Sequence, residues 1–461
     1  MADQEFDLAV IGLGSAGMVA VNFATGLGVR VAAVERDRVG GDCLWTGCVP
    51  SKTLLAEAAR RSAAPAQSGS DLEAVWGRIR AVQEEIAAGD DSVDRLREGG
   101  AEVYLGEPAR LVAPHQVRVG SRSLCARNIL VCTGSRPAVP PIRGLAAAGF
   151  VTSSDFFAKP PPPGPLLFIG GGPISLELAQ GMRRFGREVT VLEVAPRILP
   201  LEEPELVERL MGALRADGVT IETGAQVLEV GGTAGALTVD AEVRGERRRL
   251  PASQVFVGAG RVPNVEGLGL EDLGVRLGSG GVKVDQALRT GVPGLFACGD
   301  VIGGYRFTHL AGHQAVQAVR GMFFPGLGRA PQLVPWCTFT DPQLAHVGLT
   351  EAEARHTQSK VRVWRSDLSH SDRARADGRA LGEVRLVASG DRLVGAHILS
   401  PTAGEMIHEP ALAISAKLRV QSLSSLVHVY PTYSPSVGEA AALAGLESAR
   451  RLRSRLSWWP R

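Results

Sequence analysis

Short apolar runs that end on glycine punctuate the first thirty-five residues: FDLAVIG, then GLGSAG, then an Ala- and Val-rich stretch to Leu27, then VRVAAVE. Apolar runs bounded by glycine predict buried strands, and the spacing of the stretch between them predicts a helix. Strand, glycine turn, helix, strand is the outline of a dinucleotide-binding unit. The same order restarts 158 residues further on, Gly170 standing where Gly12 stood: LLFIG, then GGGPISLELA with helical spacing to Phe185, then EVTVLE. Between the two echoes, Lys159-Pro160-Pro161-Pro162-Pro163-Gly164-Pro165 cannot sit in a helix or a central strand. It reads as a stiff extended linker and a domain boundary. From about Val282 the pattern predicts a strand toward Phe296, a tight ACGDV turn and a helix over 311–323, a segment expected to return to the first domain. Beyond Pro335, short alternating strands (VRVWRSD, GEVRLVAS, DRLVGAHIL) and helical stretches over 404–418 and 437–446 predict an α+β C-terminal domain.

Composition narrows the function classes. The chain has 461 residues, long enough for about three domains at roughly 150 residues each. Hydrophobic residues at 45 % and charged ones at 21 % are ordinary globular usage. Lys and Arg number 50 against 48 Asp and Glu, a net charge of +2 with no basic block, so nucleic-acid binding is not expected. No apolar run reaches the ~18 residues of a membrane span, and MADQEFDLAVIGLG carries acids where a signal peptide carries cations. A cytoplasmic protein is expected, with no membrane partner. Six cysteines are too few for a disulfide scaffold, so their spacing carries the information.

Three stretches carry chemistry. In GLGSAG, Gly12 suits the tight turn, Gly14 the close approach of backbone to a pyrophosphate, and Gly17 the packing of helix on strand. Glu35, at the end of the second strand, is placed to accept ribose hydroxyls. The second turn has Gly170 and Gly172, with Ser175 where a third glycine is expected. Glu193 ends its second strand, and an acid there bonds a free 2′-hydroxyl but repels a 2′-phosphate. NADH is therefore expected over NADPH, although Arg197 nearby could offset the repulsion. The third stretch is GGDCLWTGCVPSK, residues 40–52, in which Cys43 and Cys48 lie at the start of a helix running through LLAEAARR. They can close a short disulfide, and the helix dipole favours a thiolate. A metal half-site and two packed thiols are the alternatives. The remaining thiols, Cys125, Cys132, Cys298 and Cys337, are expected to form no second pair, with Cys125, Cys132 and Cys337 core packing, and no metal site is expected.

With these motifs in view, and with Thr133-Gly134-Ser135-Arg136-Pro137, Gly260-Arg261-Val262-Pro263-Asn264, ACGDV with Asp300, and Phe339-Thr340-Asp341-Pro342 leading to VGLTE, the whole chain resembles the pyridine nucleotide-disulfide oxidoreductases. The resemblance implies an α/β fold with two Rossmann-like domains, for FAD and NAD, and an α+β C-terminal dimerisation domain. The domains expected are FAD-binding over 1–158, NAD(P)-binding over 165–262, a return to the FAD/central domain over 263–334, and dimerisation over 335–461. It implies FAD held by Gly12, Gly14, Gly17, Glu35, Thr133, Gly134 and Asp300, and NADH, with NADPH the less favoured, held by Gly170, Gly172 and Glu193. Electrons would pass through the flavin to a Cys43–Cys48 disulfide, Cys48 stacked on the flavin and Cys43 facing the acceptor. Lys52 would sit near the flavin and pair with Glu177, since a buried lysine needs a counter-charge.

One departure bears on substrate. Disulfide-reducing members end in His-Pro-Thr-x-x-Glu, whose His is the general acid/base; here the segment is Tyr430-Pro431-Thr432-Tyr433-Ser434-Pro435. Tyrosine, with a reference pKa of ~10 against ~6.5, is a poor proton shuttle at neutral pH. His428 lies two residues earlier. Asp372-Arg373-Ala374 with Asp377-Gly378 is similar to a segment of mercuric-reductase-like members, but residues 446–461 hold no cysteine. The expectation is a homodimeric, mercuric-reductase-like enzyme reducing a metal ion or disulfide, with Tyr430 reaching the partner's site. The alternatives are a dihydrolipoyl dehydrogenase-like reductase, a diaphorase or quinone reductase, and a redox-sensing flavoprotein without turnover.

Overall fold

The computed structural model describes residues 5–62, 71–324 and 326–455, which fall into two compact units. The first comprises residues 1–170, 227–240 and 249–332. Its strand β1 (Phe6–Ile11) is buried at almost every position, as a strand covered on both faces must be. Glycine turn, helix α1 (Ser15–Gly26) and strand β2 (Val31–Glu35) follow, with β1 and β2 parallel and Val10 opposite Ala33. Helices α2 (Gly41–Trp45), α3 (Cys48–Ser62) and α4 (Leu72–Ala88) precede strand β3 (Glu102–Leu105). Then comes a meander of β4 (Ala109–Ala113), β5 (Gln116–Val119) and β6 (Arg122–Val131). The sheet runs β3-β2-β1-β6-β5-β4, and the late strand Leu295–Ala297 adds in parallel on β6, Phe296 opposite Leu130. The chain therefore returns to its first sheet, and the helix Thr308–Phe323 packs on α1 through Ala311, Ala315 and Ala318. In the same unit the strands Leu166–Ile169 and Gln254–Val257 pair in parallel.

The second unit comprises residues 171–226, 241–248 and 333–461. It contains the helix Pro173–Arg184 and the parallel strands Val189–Glu193 and Thr220–Thr223. An antiparallel sheet follows, in the order Trp336–Thr338, Gln343–Gly348, Arg392–Ser400, Glu383–Ser389, Val361–Asp367. The terminal helix Pro435–Arg455 covers it through Val437, Ala440 and Ala441, which join Leu386 and Ile398 in one core. That helix is longer than the apolar periodicity predicts, because its last turns, ESARRLRSR, are mostly charged and bury no apolar stripe, Leu452 being exposed. None of the described helices is long and apolar enough to cross a membrane.

Candidate active site

At the first glycine turn, backbone geometry leaves no choice of residue. Gly12 sits at φ +94°, and a Cβ there would lie 2.6 Å from the carbonyl oxygen of Cys132; one on Gly17 would lie 1.8 Å from the Gly12 carbonyl oxygen. Gly14 differs: the nearest atom to a Cβ would be the Cα of Gly41, at 3.7 Å. It caps α1 with no side chain and leaves the first-turn N–H groups open. Glu35 braces the turn, accepting from Leu13 N at 2.7 Å and Asp37 N at 2.9 Å on different oxygens. The second turn repeats this 158 residues on: Glu193 accepts from Gly171 N at 2.6 Å and Ala195 N at 2.7 Å. Each carboxylate keeps further lone pairs, enough to accept ribose hydroxyls. Gly170 is at φ +105°, Gly172 caps the following helix, and Ser175 is buried inside it. Arg197 donates to the Pro200 carbonyl oxygen at 2.5 Å.

The far wall of the first turn is a polar network. Ser135 Oγ donates to Asp300 Oδ2 at 2.5 Å, and Arg261 donates to Ser135 Oγ at 2.6 Å and to Asp42. Asp300 Oδ1 has no protein partner among the described residues. Thr133 and Asn264 exchange two bonds, Thr133 Oγ1 to the Asn264 carbonyl oxygen at 2.7 Å and Asn264 Nδ2 to the Thr133 carbonyl oxygen at 2.9 Å. Gly134, beside them at φ +68°, has open space where a Cβ would be. An open Gly14, helix N–H groups without a side-chain cap, strand-end carboxylates with spare lone pairs and a free oxygen on Asp300 suit the phosphates and hydroxyls of a flavin dinucleotide.

The two cysteines belong to separate helices. The single helix expected through this stretch breaks at Thr46 and Gly47, where a Cβ on Gly47 would lie 2.9 Å from the Asp42 carbonyl oxygen. Cys43 stays on α2 and Cys48 becomes the first residue of α3. Gln83 of α4, buried, donates to the carbonyl oxygens of Leu44 at 3.0 Å and Trp45 at 2.8 Å, fixing the end of α2. The structure holds the pair as two thiols. The hydrogen bond of Cys43 to Cys48, reinforced by burial, pushes the Cys43 thiol far up, so Cys43 keeps its proton. Cys48 Sγ lies 3.3 Å from the hydroxyl of Thr308, the first residue of the helix Thr308–Phe323. Two helix N-termini thus converge on Cys48, a setting that favours negative charge on its sulfur. Lys52, one turn along α3, donates to Ser51 Oγ at 3.4 Å.

The remaining thiols, expected to form no second pair, close no disulfide among the described residues, but two of them are packed side by side. Cys132 and Cys298 lie with sulfurs 3.5 Å apart, both buried. The register of β6 with Leu295–Ala297 sets Val131 opposite Ala297, so the next residue of each strand meets the other. Sequence separation hid that pairing. Burial pushes the Cys132 thiol well above its ordinary value, which leaves it unreactive.

In the second unit, Glu177 is buried in the helix Pro173–Arg184 and accepts from Phe339 N at 2.9 Å. Tyr430 is largely exposed and donates to Asp372 Oδ2 at 2.9 Å, which raises its hydroxyl above the usual tyrosine range. Tyr433, buried, donates to Asp377 Oδ2 at 3.0 Å. His428 Nε2 lies 3.0 Å from Glu409 Oε2. Around them is an open groove of about 360 Å³ lined by His428, Tyr430, Pro435 and Gly438 among others. Leu426, Val427, Val429 and Leu446 are exposed, Val427 to 93 %.

The family model described as "Pyridine nucleotide-disulphide oxidoreductase" matches residues 6–315, and that of its dimerisation domain matches residues 334–441. The chain belongs to this family. It is an NAD(P)H-dependent flavoprotein oxidoreductase, and the family uses FAD with NAD(P)H. A dihydrolipoyl dehydrogenase of Bacillus subtilis (strain 168) is 33 % identical over 95 % of this oxidoreductase and 98 % of its own length. A mercuric reductase of Staphylococcus aureus is 31 % identical, over 95 % and 82 %. A Cu(II) complex of the HOCl-induced flavoprotein disulfide reductase RclA from Escherichia coli superposes with a TM-score of 0.86 at 27 % identity, covering 95 % of this oxidoreductase and 99 % of that chain. Thr308, Gln83 and Arg261 are site residues that sequence reasoning missed. The first opens a helix expected only from residue 311, where the apolar periodicity begins, so a polar Thr-His start went unread.

Proposed function

We propose that this oxidoreductase draws electrons from NADH and delivers them through Cys43 and Cys48 to a small thiophilic acceptor, a soft metal ion in preference to an organic disulfide. The bound flavin supplies the two-electron relay between nicotinamide and thiol. Gly12, Gly14, Gly17, Glu35, Thr133, Gly134 and Asp300 would hold it, and the Lys52 cation would favour its anionic reduced form. Gly170, Gly172 and Glu193 would hold NADH, the Glu193 carboxylate accepting a free 2′-hydroxyl and repelling a 2′-phosphate. Cys43 faces the acceptor and Cys48 the flavin.

The observation that carries the choice of acceptor is the Tyr430 hydroxyl, bound to Asp372 and raised above an already high value. Reducing a disulfide to two thiols takes two electrons and two protons, the first proton going to a leaving thiolate of pKa ~8.5. A tyrosine above its ordinary range gives that proton only uphill. Binding a dication on both sulfurs releases the Cys43 proton to solvent, and reducing the bound dication to the neutral metal then takes two electrons and no further proton. A relative named mercuric reductase, and a structural neighbour prepared as a Cu(II) complex, support this reading. The dimerisation domain and the exposed Leu426, Val427 and Val429 support a homodimer, and a cytoplasmic location suits reduced thiols.

The test is NADH oxidation by the purified holoenzyme with Hg(II), with lipoamide and with glutathione disulfide, in wild type and in Cys48→Ser. Turnover with Hg(II) that Cys48→Ser abolishes, with flavin retained, supports the proposal. Equal or faster turnover with a disulfide overturns the choice of acceptor, and a Cys48→Ser enzyme that turns over with every acceptor overturns the dithiol route in favour of a quinone reductase. A second reading, disulfide reduction with His428 as acid/base, is favoured by its 3.0 Å contact with Glu409, an orienting carboxylate. It predicts loss of disulfide turnover in His428→Gln.

A further inference from the structure

One buried cluster in the second unit has no task in the reading above. Glu202 stands in the turn before the helix Pro204–Ala216, His346 on the strand Gln343–Gly348 and His397 on the strand Arg392–Ser400, where the two histidines are direct cross-strand partners. The three are 4 %, 2 % and 0 % exposed. One ligand atom of each lies within 4.8 Å of the other two. Positions 202, 346 and 397 share no spacing, so nothing in the sequence points to the cluster.

The outward hydrogen bonds assign the inward atoms. His346 Nε2 lies 2.9 Å from the Gly348 carbonyl oxygen, and His397 Nε2 3.0 Å from that of Leu349. A carbonyl only accepts, so in each neutral ring the proton sits on Nε2 and Nδ1 is left as a lone pair. Glu202 Oε1 accepts the indole N–H of Trp336 at 2.6 Å, while Oε2 faces His346 Nδ1 at 3.2 Å. His397 Nδ1 is buried and has no hydrogen-bond partner among the described residues.

Three lone pairs are thus buried together without a positive centre. A proton added to His346 Nδ1 would answer Glu202 but leave His397 Nδ1 orphaned. A cation answers all three. The 3.2 Å between Glu202 Oε2 and His346 Nδ1 is close to the edge of a tetrahedron whose centre-to-corner distance is ~2.0 Å, the length of a Zn–N or Zn–O bond. Carbonyls on the far nitrogens and an N–H on the far carboxylate oxygen are the outer partners that metal-bound histidines and carboxylates keep. The neighbouring charge does not oppose a dication: buried Arg385 is outnumbered by the carboxylates that pair with it, Glu203 at 3.1 Å, Glu205 at 2.5 Å and Glu383 at 2.9 Å.

We propose that Glu202, His346 and His397 form a structural site for a divalent cation of the zinc class, joining two sheet strands to the start of a helix. The site shares no residue with the dithiol. The experiment uses the full-length holoprotein carrying Cys43→Ser and Cys48→Ser, so that no active-site thiolate competes. It is stripped with a chelator, loaded with Zn(II), dialysed into metal-free buffer and assayed by inductively coupled plasma mass spectrometry. One zinc per chain is expected, falling at least tenfold on adding Glu202→Gln or His346→Gln. Zinc should raise the thermal midpoint of the parent and leave that of Glu202→Gln unmoved. Co(II) should give the visible bands of a tetrahedral N/O site with no thiolate charge-transfer band, a readout needing no further variant. Zinc absent from the parent, or retained equally by the folded Glu202→Gln protein, overturns the proposal.

Discussion

Replacing Thr308 by valine removes one hydroxyl and nothing else of consequence for shape, and the structure says what that hydroxyl does. It lies 3.3 Å from Cys48 Sγ and also pulls the Cys43 thiol downward against the larger upward push of Cys48 and burial. A hydrogen bond to the charged form of a thiol lowers its pKa, so Thr308→Val must raise the pKa of the pair. The net worth of such a bond is about 1 kcal/mol, toward the lower end because the contact is partly open to solvent. Since 1.36 kcal/mol corresponds to one pKa unit, the shift is about 0.7 unit, or about fivefold less thiolate at any pH below the pKa. The assay is the rate of iodoacetamide alkylation of the reduced holoenzyme as a function of pH, read on the cysteine that Cys48→Ser removes. Valine should move the whole profile to higher pH by about 0.7 unit while flavin content and thermal midpoint hold. A profile that stays put, or moves to lower pH, refutes the assignment of Thr308 as the donor to this sulfur.

Other outcomes separate structural from binding roles. Gly14→Ala, where a Cβ meets nothing closer than 3.7 Å, should fold normally yet lose most of its FAD affinity, whereas Gly17→Ala, with a Cβ 1.8 Å from a carbonyl oxygen, should fail to yield soluble protein; flavin absorbance and circular dichroism distinguish them. Tyr430→His combined with Pro435→Glu should raise disulfide turnover by about 10², the usual worth of a placed acid/base, with Hg(II) turnover little changed. Glu205 is held below its ordinary value by its hydrogen bond to Arg385, so its stabilising contribution is full above the unfolded glutamate pKa and is lost as pH falls through the lower folded value. Glu205→Gln should flatten the stability–pH curve of urea unfolding across that acid window.

What the chain discloses by itself is whatever is local. Each glycine turn is written in consecutive residues, and its strand and helix follow within thirty positions, so Gly12, Gly14, Gly17, Gly170 and Gly172 fall where their spacing predicts. The break between α2 and α3 is local too, but it rests on a close backbone approach at Gly47 that only a residue without a Cβ allows, and no hydrophobic pattern records that. Long-range register is a different matter. Nothing in the separation of Cys132 from Cys298, or of His346 from His397, says that strand pairing makes them neighbours. Thr308 reaches Cys48, and Gln83 the carbonyl end of α2, across the fold, and only the packed structure shows which hydroxyl or amide arrives there.

The twin braces of Glu35 and Glu193 set a constraint on anyone who would redesign the nucleotide preference. Exchanging Glu193 for a neutral or basic residue, the obvious way to admit a 2′-phosphate, also withdraws the acceptor for Gly171 N and Ala195 N. On the proposed reading, nucleotide recognition and turn rigidity reside in one side chain and cannot be varied separately by a single substitution. A workable NADPH variant therefore needs two changes made together, one to greet the phosphate and one to hold the turn, and each alone should look like a failure.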